Sequence, residues 1–254
     1  MPRRTEVALA RIVEYLDGLL EVSRYDEGEP SNGLMFDGRR PVTRVAASVN
    51  TSFTSVSRAA ATGAELLLVH HTTWASIDLA LKEEKEKALR DAGVSLYCAH
   101  AALDCHPKFS NADTLARLLG MRVQGRFAPY CGGLAGAYGE VDGSFAEFVE
   151  RVQARLEVRV DAWQNSSRFG RIGIVPGGGS WTTFVDEARS KGCDTYLTGE
   201  GTMYTKLFAR ETGMNLILAT HYATETHGIQ ALAERLARRF ALPWDFVREE
   251  PDIL

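Results

Sequence analysis

Glu65-Leu66-Leu67-Leu68-Val69-His70-His71 is an apolar run closed by two adjacent histidines. The run is too short for a helix, follows Gly63, and is continuous Leu and Val instead of alternating with polar residues. Those features predict a strand buried on both faces, as in a parallel sheet covered by helices. In an open α/β sheet, ligands bind beyond the carboxyl ends of the strands. His70 and His71 are therefore expected where a metal or a proton would be handled. Taken alone, the pair is also compatible with one locally bonded and one solvated imidazole.

Working outward, the chain alternates helix and strand. Helical periodicity runs through residues 5–22, and a Gly/Pro/Ser/Asn-rich loop follows through Pro30-Ser31-Asn32-Gly33-Leu34 to Gly38. Arg44–Val49 reads as a strand and Thr51–Thr62 as a helix. His71-Thr72-Thr73-Trp74 is a loop, and Leu79–Ala92 a helix with a solvated charged run, stopped by Gly93. Val94–Ala99 is a strand leading to His100, and Ser110 or Asn111 caps a helix ending near Leu119. Residues 121–141 are Gly-rich and read as a connection between lobes or as edge strands. Beyond them come a helix at Phe145–Leu156, strands at Val158–Ala162 and Arg171–Val175, and the turn Pro176-Gly177-Gly178-Gly179-Ser180. A helix at Trp181–Ser190, a strand at Asp194–Leu197, a helix at Thr202–Glu211, a strand at Asn215–Ala219 and a helix at Thr224–Phe240 complete the pattern. The expected fold is α/β: two similar lobes, residues 1–125 and 126–254, with mostly parallel sheets flanked by helices and a metal cleft between them.

Composition narrows the function. Of 254 residues, 45% are hydrophobic and 24% charged, which is ordinary for a globular chain. Lys+Arg 29 against Asp+Glu 33 gives a net charge of −4, and only Arg235, Arg238 and Arg239 cluster, so nucleic acid is not an expected partner. No apolar stretch reaches the roughly 20 residues of a membrane span. Met1-Pro2-Arg3-Arg4-Thr5 lacks the apolar core of a secretory signal. Cys98, Cys105, Cys131 and Cys193 form no CxxC pair. A cytoplasmic protein with reduced thiols is expected.

The two halves echo each other. Ser95–Ala99 runs into His100 with Asp104 four residues on; Leu216–Thr220 runs into His221 with Glu225 four residues on. Earlier strands end in His70-His71 in one half and Thr198-Gly199-Glu200 in the other. Gathered at one cleft, His70, His71, His100, Asp104, His221 and Glu225 suit Zn, Mn, Fe or Co. Six candidates exceed the three protein ligands of a usual catalytic zinc and fit two divalent ions, with Asp104 or Glu225 bridging. Such a pair activates water at neutral pH. Gly177, Gly178 and Gly179 are read as a phosphate cradle or a plain tight turn. Glu200 is read as an acid supporting the ligands or as a general base, against a plain helix-start charge. Trp74 is a lid or stacking platform, or simply core; His106 and His227 read as surface residues.

On these motifs the chain resembles the Ngg-interacting-factor-three-like family, also labelled GTP cyclohydrolase 1 type 2 homologues. The matching stretches are Asn32-Gly33-Leu34, Leu68-Val69-His70-His71, Ala99-His100-Ala101-Ala102-Leu103-Asp104 with His106-Pro107, Gly177-Gly178-Gly179, Tyr196-Leu197-Thr198-Gly199-Glu200, and Thr220-His221-Tyr222-Ala223-Thr224-Glu225 with Gly228. The resemblance implies a dinuclear metal centre in a toroidal homohexamer. It implies His70, His71, Asp104, His221 and Glu225 as metal ligands, with His100 another histidine of the cavity. It also implies a metal-dependent hydrolase of a nucleotide or related small molecule, with His100 or Glu200 moving protons. The alternative is a non-catalytic ring that stores or senses metal or acts as an interaction scaffold. The chain departs from the family in the His71-Thr72-Thr73-Trp74 loop, in Gly201-Thr202-Met203-Tyr204, and in Thr226 and His227 after Glu225. Those changes fall on the substrate pocket rather than on the ligands.

Overall fold

The computed structural model describes residues 5–249 apart from Asp26 and Arg39. Met1–Arg4, read above for a targeting signal, lies outside the described residues. The chain divides into two compact units. Of the described residues, one unit holds those up to Leu103 together with those from Ile229 on, and the other holds Asp104–Gly228. The expected dividing point at 125/126 lies within a strand of the second unit.

The first unit carries a five-stranded sheet in the order β1-β4-β3-β2-β11. Its strands are β1 (Asn32–Phe36), β2 (Val45–Asn50), β3 (Leu66–His71), β4 (Ser95–Ala99) and β11 (Trp244–Phe246). β2, β3, β4 and β11 are parallel, and β1 runs antiparallel to β4. Leu66, Leu67, Leu68 and Val69 are wholly buried, as a strand covered on both faces requires. The helices are α1 (Leu9–Leu20), α2 (Phe53–Ala61), α3 (Ala75–Asp78) and α4 (Leu81–Ala92). Ser52 and Ser55 form a reciprocal cap at the start of α2, and Gly93 ends α4 in the left-handed region.

Three expectations for this unit change. The first helix starts at Leu9 instead of residue 5, because Val7 pairs with Val42 as an isolated bridge. The helix expected at Leu79–Ala92 begins at Leu81, and Leu79, at φ 52, separates it from a short unexpected helix, α3. The stretch read as a loop contains β1, whose edge position against β4 tolerates its glycine and polar flanks. β11, three residues long and directly after Pro243, carries too short a pattern to be seen in sequence.

The second unit carries a six-stranded sheet in the order β5-β6-β8-β9-β10-β7. The strands are β5 (Arg122–Tyr130), β6 (Gly133–Glu140), β7 (Asp161–Trp163), β8 (Arg171–Val175), β9 (Thr195–Thr198) and β10 (Asn215–Leu218). The Gly-rich 121–141 segment is thus a hairpin, with β5 at the sheet edge. The helices are α6 (Asn111–Leu118), α7 (Phe145–Leu156), α8 (Thr182–Ser190) and α9 (Met203–Thr212), and the second unit shares α5 (Ala101–Asp104) and α10 (His221–Phe240) with the first. The division between units falls inside α5 and inside α10. Among the described residues, no helix is long and apolar enough to cross a membrane.

The echo between the halves is present in the topology. In the first unit β2, β3 and β4 lie side by side in parallel, and the preceding strand β1 flanks β4 antiparallel. In the second unit β8, β9 and β10 do the same, with the preceding β7 antiparallel on β10. The His-His strand β3 therefore matches the Thr-Gly-Glu strand β9, and β4 matches β10.

Candidate metal centre

In the first unit, parallel pairing of β3 with β4 puts His70-His71 and His100 at neighbouring strand ends. One ring nitrogen from each of His70, His71 and His100 lies within 4.8 Å of the others. The ring centroids are 4.6 Å (His70–His71), 4.9 Å (His70–His100) and 5.4 Å (His71–His100) apart. Each imidazole is held through Nδ1 by an oxygen. His70 Nδ1 is 2.7 Å from the Ala99 carbonyl, which can only accept. His71 Nδ1 is 2.6 Å from Asn50 Oδ1. The amide of Asn50 is oriented by Glu249, whose carboxylate accepts from Asn50 Nδ2 at 2.9 Å, from Asn50 N at 3.1 Å and from Ser52 Oγ at 3.0 Å. His100 Nδ1 is paired with the Glu27 carboxylate, which also accepts from Asn32 Nδ2 at 2.8 Å and Ala101 N at 3.2 Å. With Nδ1 donating in all three rings, Nε2 is the nitrogen through which each would bind a metal.

Glu27 and Glu249 are both buried, with opposite outcomes. Burial raises the Glu27 carboxyl, but His100, the Ala101 N–H and the Asn32 amide outweigh it and hold the group below its usual range. Burial raises Glu249 further than the Asn50 and Ser52 donors and the Lys85 charge bring it back. Trp74 stands over the cluster, 5.6 Å from His71 and 5.2 Å from His100 between ring centroids, with its indole N–H on Ser31 Oγ at 2.8 Å.

In the second unit, His221 is the first residue of α10, a turn earlier than expected, so His221 and Glu225 lie on one helix face. Thr220, at φ 59, makes the turn from strand to helix; a β-branched residue there is strained. His221 Nε2 is 3.3 Å from Glu225 Oε1, and His221 Nδ1 is 2.8 Å from Glu200 Oε1. Glu225 is 3% exposed. A carboxylate oxygen of Asp104 lies within 4.8 Å of one of Glu225. Asn111 Nδ2 donates to Asp104 Oδ1 at 2.7 Å. Arg126, salt-bridged to Asp113 at 2.6 Å, also donates to the carbonyls of Asp104 (3.2 Å) and His106 (2.9 Å), pinning that turn. Sequence reading missed Glu27, Asn50, Glu249, Asn111 and Arg126; none belongs to a local motif. His106 is buried rather than on the surface, its Nδ1 accepting from Lys108 N at 3.1 Å and Phe109 N at 3.3 Å.

The glycine run packs against these ligands. Gly177 is at φ +64, and a Cβ built there meets Glu225 Oε1 at 2.0 Å and His221 Nε2 at 2.9 Å. Its N–H donates to Thr224 Oγ1 at 2.9 Å, and its carbonyl accepts from Glu200 N at 3.1 Å. Gly178 is the exposed member of the run.

Burial lowers the His221 imidazole, but the Glu225 and Glu200 carboxylates outweigh it and push its pKa up to about 9. A proton on His221 thus offsets two carboxylates in the metal-free chain. Because the folded value lies above the ordinary 6.5, this contribution to stability is complete below about pH 6.5 and is lost as pH rises to about 9. The metal-free protein is expected to show a Tm that falls across that window, by an amount trimmed by solvent at this half-exposed ring. His221→Asn should flatten the slope; an unchanged slope would refute the assignment.

The donor set fits a cation: two neighbouring carboxylates and an imidazole in one unit, three imidazoles in the other. These features define the class, an α/β protein of two sheets whose strand ends carry groups able to bind a metal ion. The chain belongs to the Duf34/NIF3 (NGG1p interacting factor 3) family, whose model matches residues 7–252. It is similar to a Deinococcus radiodurans protein called GTP cyclohydrolase 1 type 2 homolog, at 34% identity over 251 residues, 96% of this chain and 94% of that one. A Pseudomonas aeruginosa protein of the same name is 35% identical over 252 residues, 95% of this chain and 97% of its own. Among solved structures, protein ybgI, described as of unknown function, matches with a TM-score of 0.87 at 28% identity, covering 96% of this chain and 100% of that one.

Proposed function

We propose that this chain is a dinuclear metal-binding protein that hydrolyses a nucleotide or a related small molecule in a metal-dependent reaction. The carrying observation is the donor chemistry: three imidazoles anchored through Nδ1 in one unit, and Asp104, His221 and Glu225 drawn together in the other. His70, His71, Asp104, His221 and Glu225 would hold the ions. The relatives named GTP cyclohydrolase 1 type 2 homolog support the hydrolytic reading.

Bound divalent ions supply Lewis acidity and a water activated at neutral pH. The protein's residues do the rest. His100, oriented by Glu27, takes up and returns a proton at Nε2. Glu200 holds the His221 ring through Nδ1, so its role is positioning. Trp74 offers a flat apolar face to a heterocycle, and any phosphate contact falls to Gly178 and Gly179, because the Gly177 N–H is engaged by Thr224. Assembly into a homohexamer belongs to the same reading. Exposed Trp181, Met203, Tyr204 and Leu207 supply apolar surface for self-association.

The test is metal stoichiometry together with turnover. Loaded with Mn or Zn, the chain should hold two ions and hydrolyse at least one member of a nucleotide panel. Glu225→Gln should lower the ion count and cut turnover at least about 100-fold, the scale of losing an electrostatic catalytic group. Two tightly held ions without turnover would leave metal storage as the function. A wild-type count below two would refute the dinuclear centre.

A further inference from the structure

We infer that the first unit carries a cation site of its own, made by His70, His71 and His100, which takes a single Zn²⁺- or Co²⁺-like ion independently of the second unit's carboxylates. This rests on the reading of His70 and His71 as metal ligands, and it adds His100 and a separate one-ion state.

Three observations carry it. First, one ring nitrogen from each of the three imidazoles lies within 4.8 Å of the other two. Tetrahedral Zn–N bonds of roughly 2.0–2.1 Å need nitrogens about 3.3 Å apart, so closing the site takes side-chain adjustments and no change of fold. Second, every Nδ1 is engaged by an oxygen belonging to the same unit: the Ala99 carbonyl, the Asn50 amide and the Glu27 carboxylate. Such contacts orient metal-binding histidines, fix Nε2 as the donor and strengthen its basicity. Third, the supports are themselves tied down. Glu249 sets the Asn50 amide, and Asn32 Oδ1 accepts from His100 N at 2.9 Å and Ala102 N at 3.0 Å.

The ligand class follows. Three imidazole nitrogens select a borderline divalent ion over Mg²⁺ or Ca²⁺, which demand oxygen. Three protein ligands leave a fourth position open, beside the Trp74 indole. In the one-ion state His100 is a ligand. In the two-ion state it is the proton carrier proposed above. The three-histidine site is thus a position where a first ion is captured.

The experiment uses the full-length chain carrying Asp104→Asn, His221→Asn and Glu225→Gln together, stripped of metal and titrated with Co²⁺. One equivalent should bind, with the intense visible absorption of four-coordinate cobalt. Adding His100→Asn should abolish that band. Glu27→Gln should weaken binding about 10–100-fold, as loss of a carboxylate behind a ligating histidine does, and Glu27→Asp should recover part of it. Circular dichroism checks the fold; if the triple variant does not fold, Glu225→Gln alone serves, with its first Co²⁺ equivalent read with and without His100→Asn. A folded variant that binds no cobalt, or whose band ignores His100→Asn, overturns the inference. The two-ion reading is scored separately on the wild type. Two ions there and none in the triple variant sinks only this inference; one ion in both sinks only the dinuclear centre.

Discussion

Gly177→Ala should lower the Tm by about 10 °C and break up the His221–Glu225 pair. The new Cβ would stand 2.0 Å from Glu225 Oε1 and 2.9 Å from His221 Nε2. Glu225 is almost fully buried, so its carboxylate cannot swing into solvent without displacing its surroundings. The backbone adds its own cost, because φ +64 is a conformation that alanine adopts with strain. Overpacking and left-handed strain together amount to roughly 3–4 kcal/mol, or about 10 °C for a chain of this size. Gly178→Ala is the control. Its Cβ meets only His221 Cε1, at 3.7 Å, so it should be within about 0.5 kcal/mol of wild type. Calorimetry on both variants decides the matter. Equal Tm values would show that the glycine run has no packing role at the ligands.

The second large effect is expected at Gly228, where two rules oppose each other. Gly228 lies inside α10, where alanine is the better helix former by about 1 kcal/mol. Propensity alone predicts a stabilised protein. Packing predicts the reverse, since a Cβ there meets Asn111 Oδ1 at 1.7 Å. Asn111 is 1% exposed and is the residue that donates to Asp104. Packing should win, with a net loss of about 2–3 kcal/mol by urea unfolding. Asn111→Ala combined with Gly228→Ala should recover part of the stability, a coupling expected of residues in contact. Purely additive losses would show that the contact is not the cause.

Both predictions concern glycines whose packing role has no local signature. A triple glycine between strand and helix suggests an anion cradle; the structure adds that Gly177 must lack a side chain for Glu225 and His221 to sit where they do. Gly228 looks like a weak point in a long helix until Asn111 is placed against it.

Local pattern was enough to identify β3 and the strands ending at His100 and His221. Burial on both faces leaves a continuous apolar run, and the polar residues at its end are adjacent in sequence. The repeated strand–His–x–x–x–carboxylate spacing made the halves comparable, and the equivalence of β1–β4 with β7–β10 bears that comparison out. Boundaries were less legible. β1 hides in a Gly/Pro-rich stretch because an edge strand needs little apolar pattern, and α3 is split from α4 by the backbone of Leu79.

Sequence by itself therefore determined the α/β class, the family motifs and the candidate ligands: these rest on neighbours along the chain, where side-chain type and spacing carry the information. Only the tertiary structure decided what orients the ligands. Glu27 reaches His100 across 73 residues, and Glu249 reaches Asn50 across 199. Hydrogen-bond partners that far apart leave no periodicity to read. Each is an ordinary surface-type residue until folding buries it beside a histidine, where the loss of water makes a single oxygen acceptor decisive for the tautomer of the ring at the end of that same apolar run.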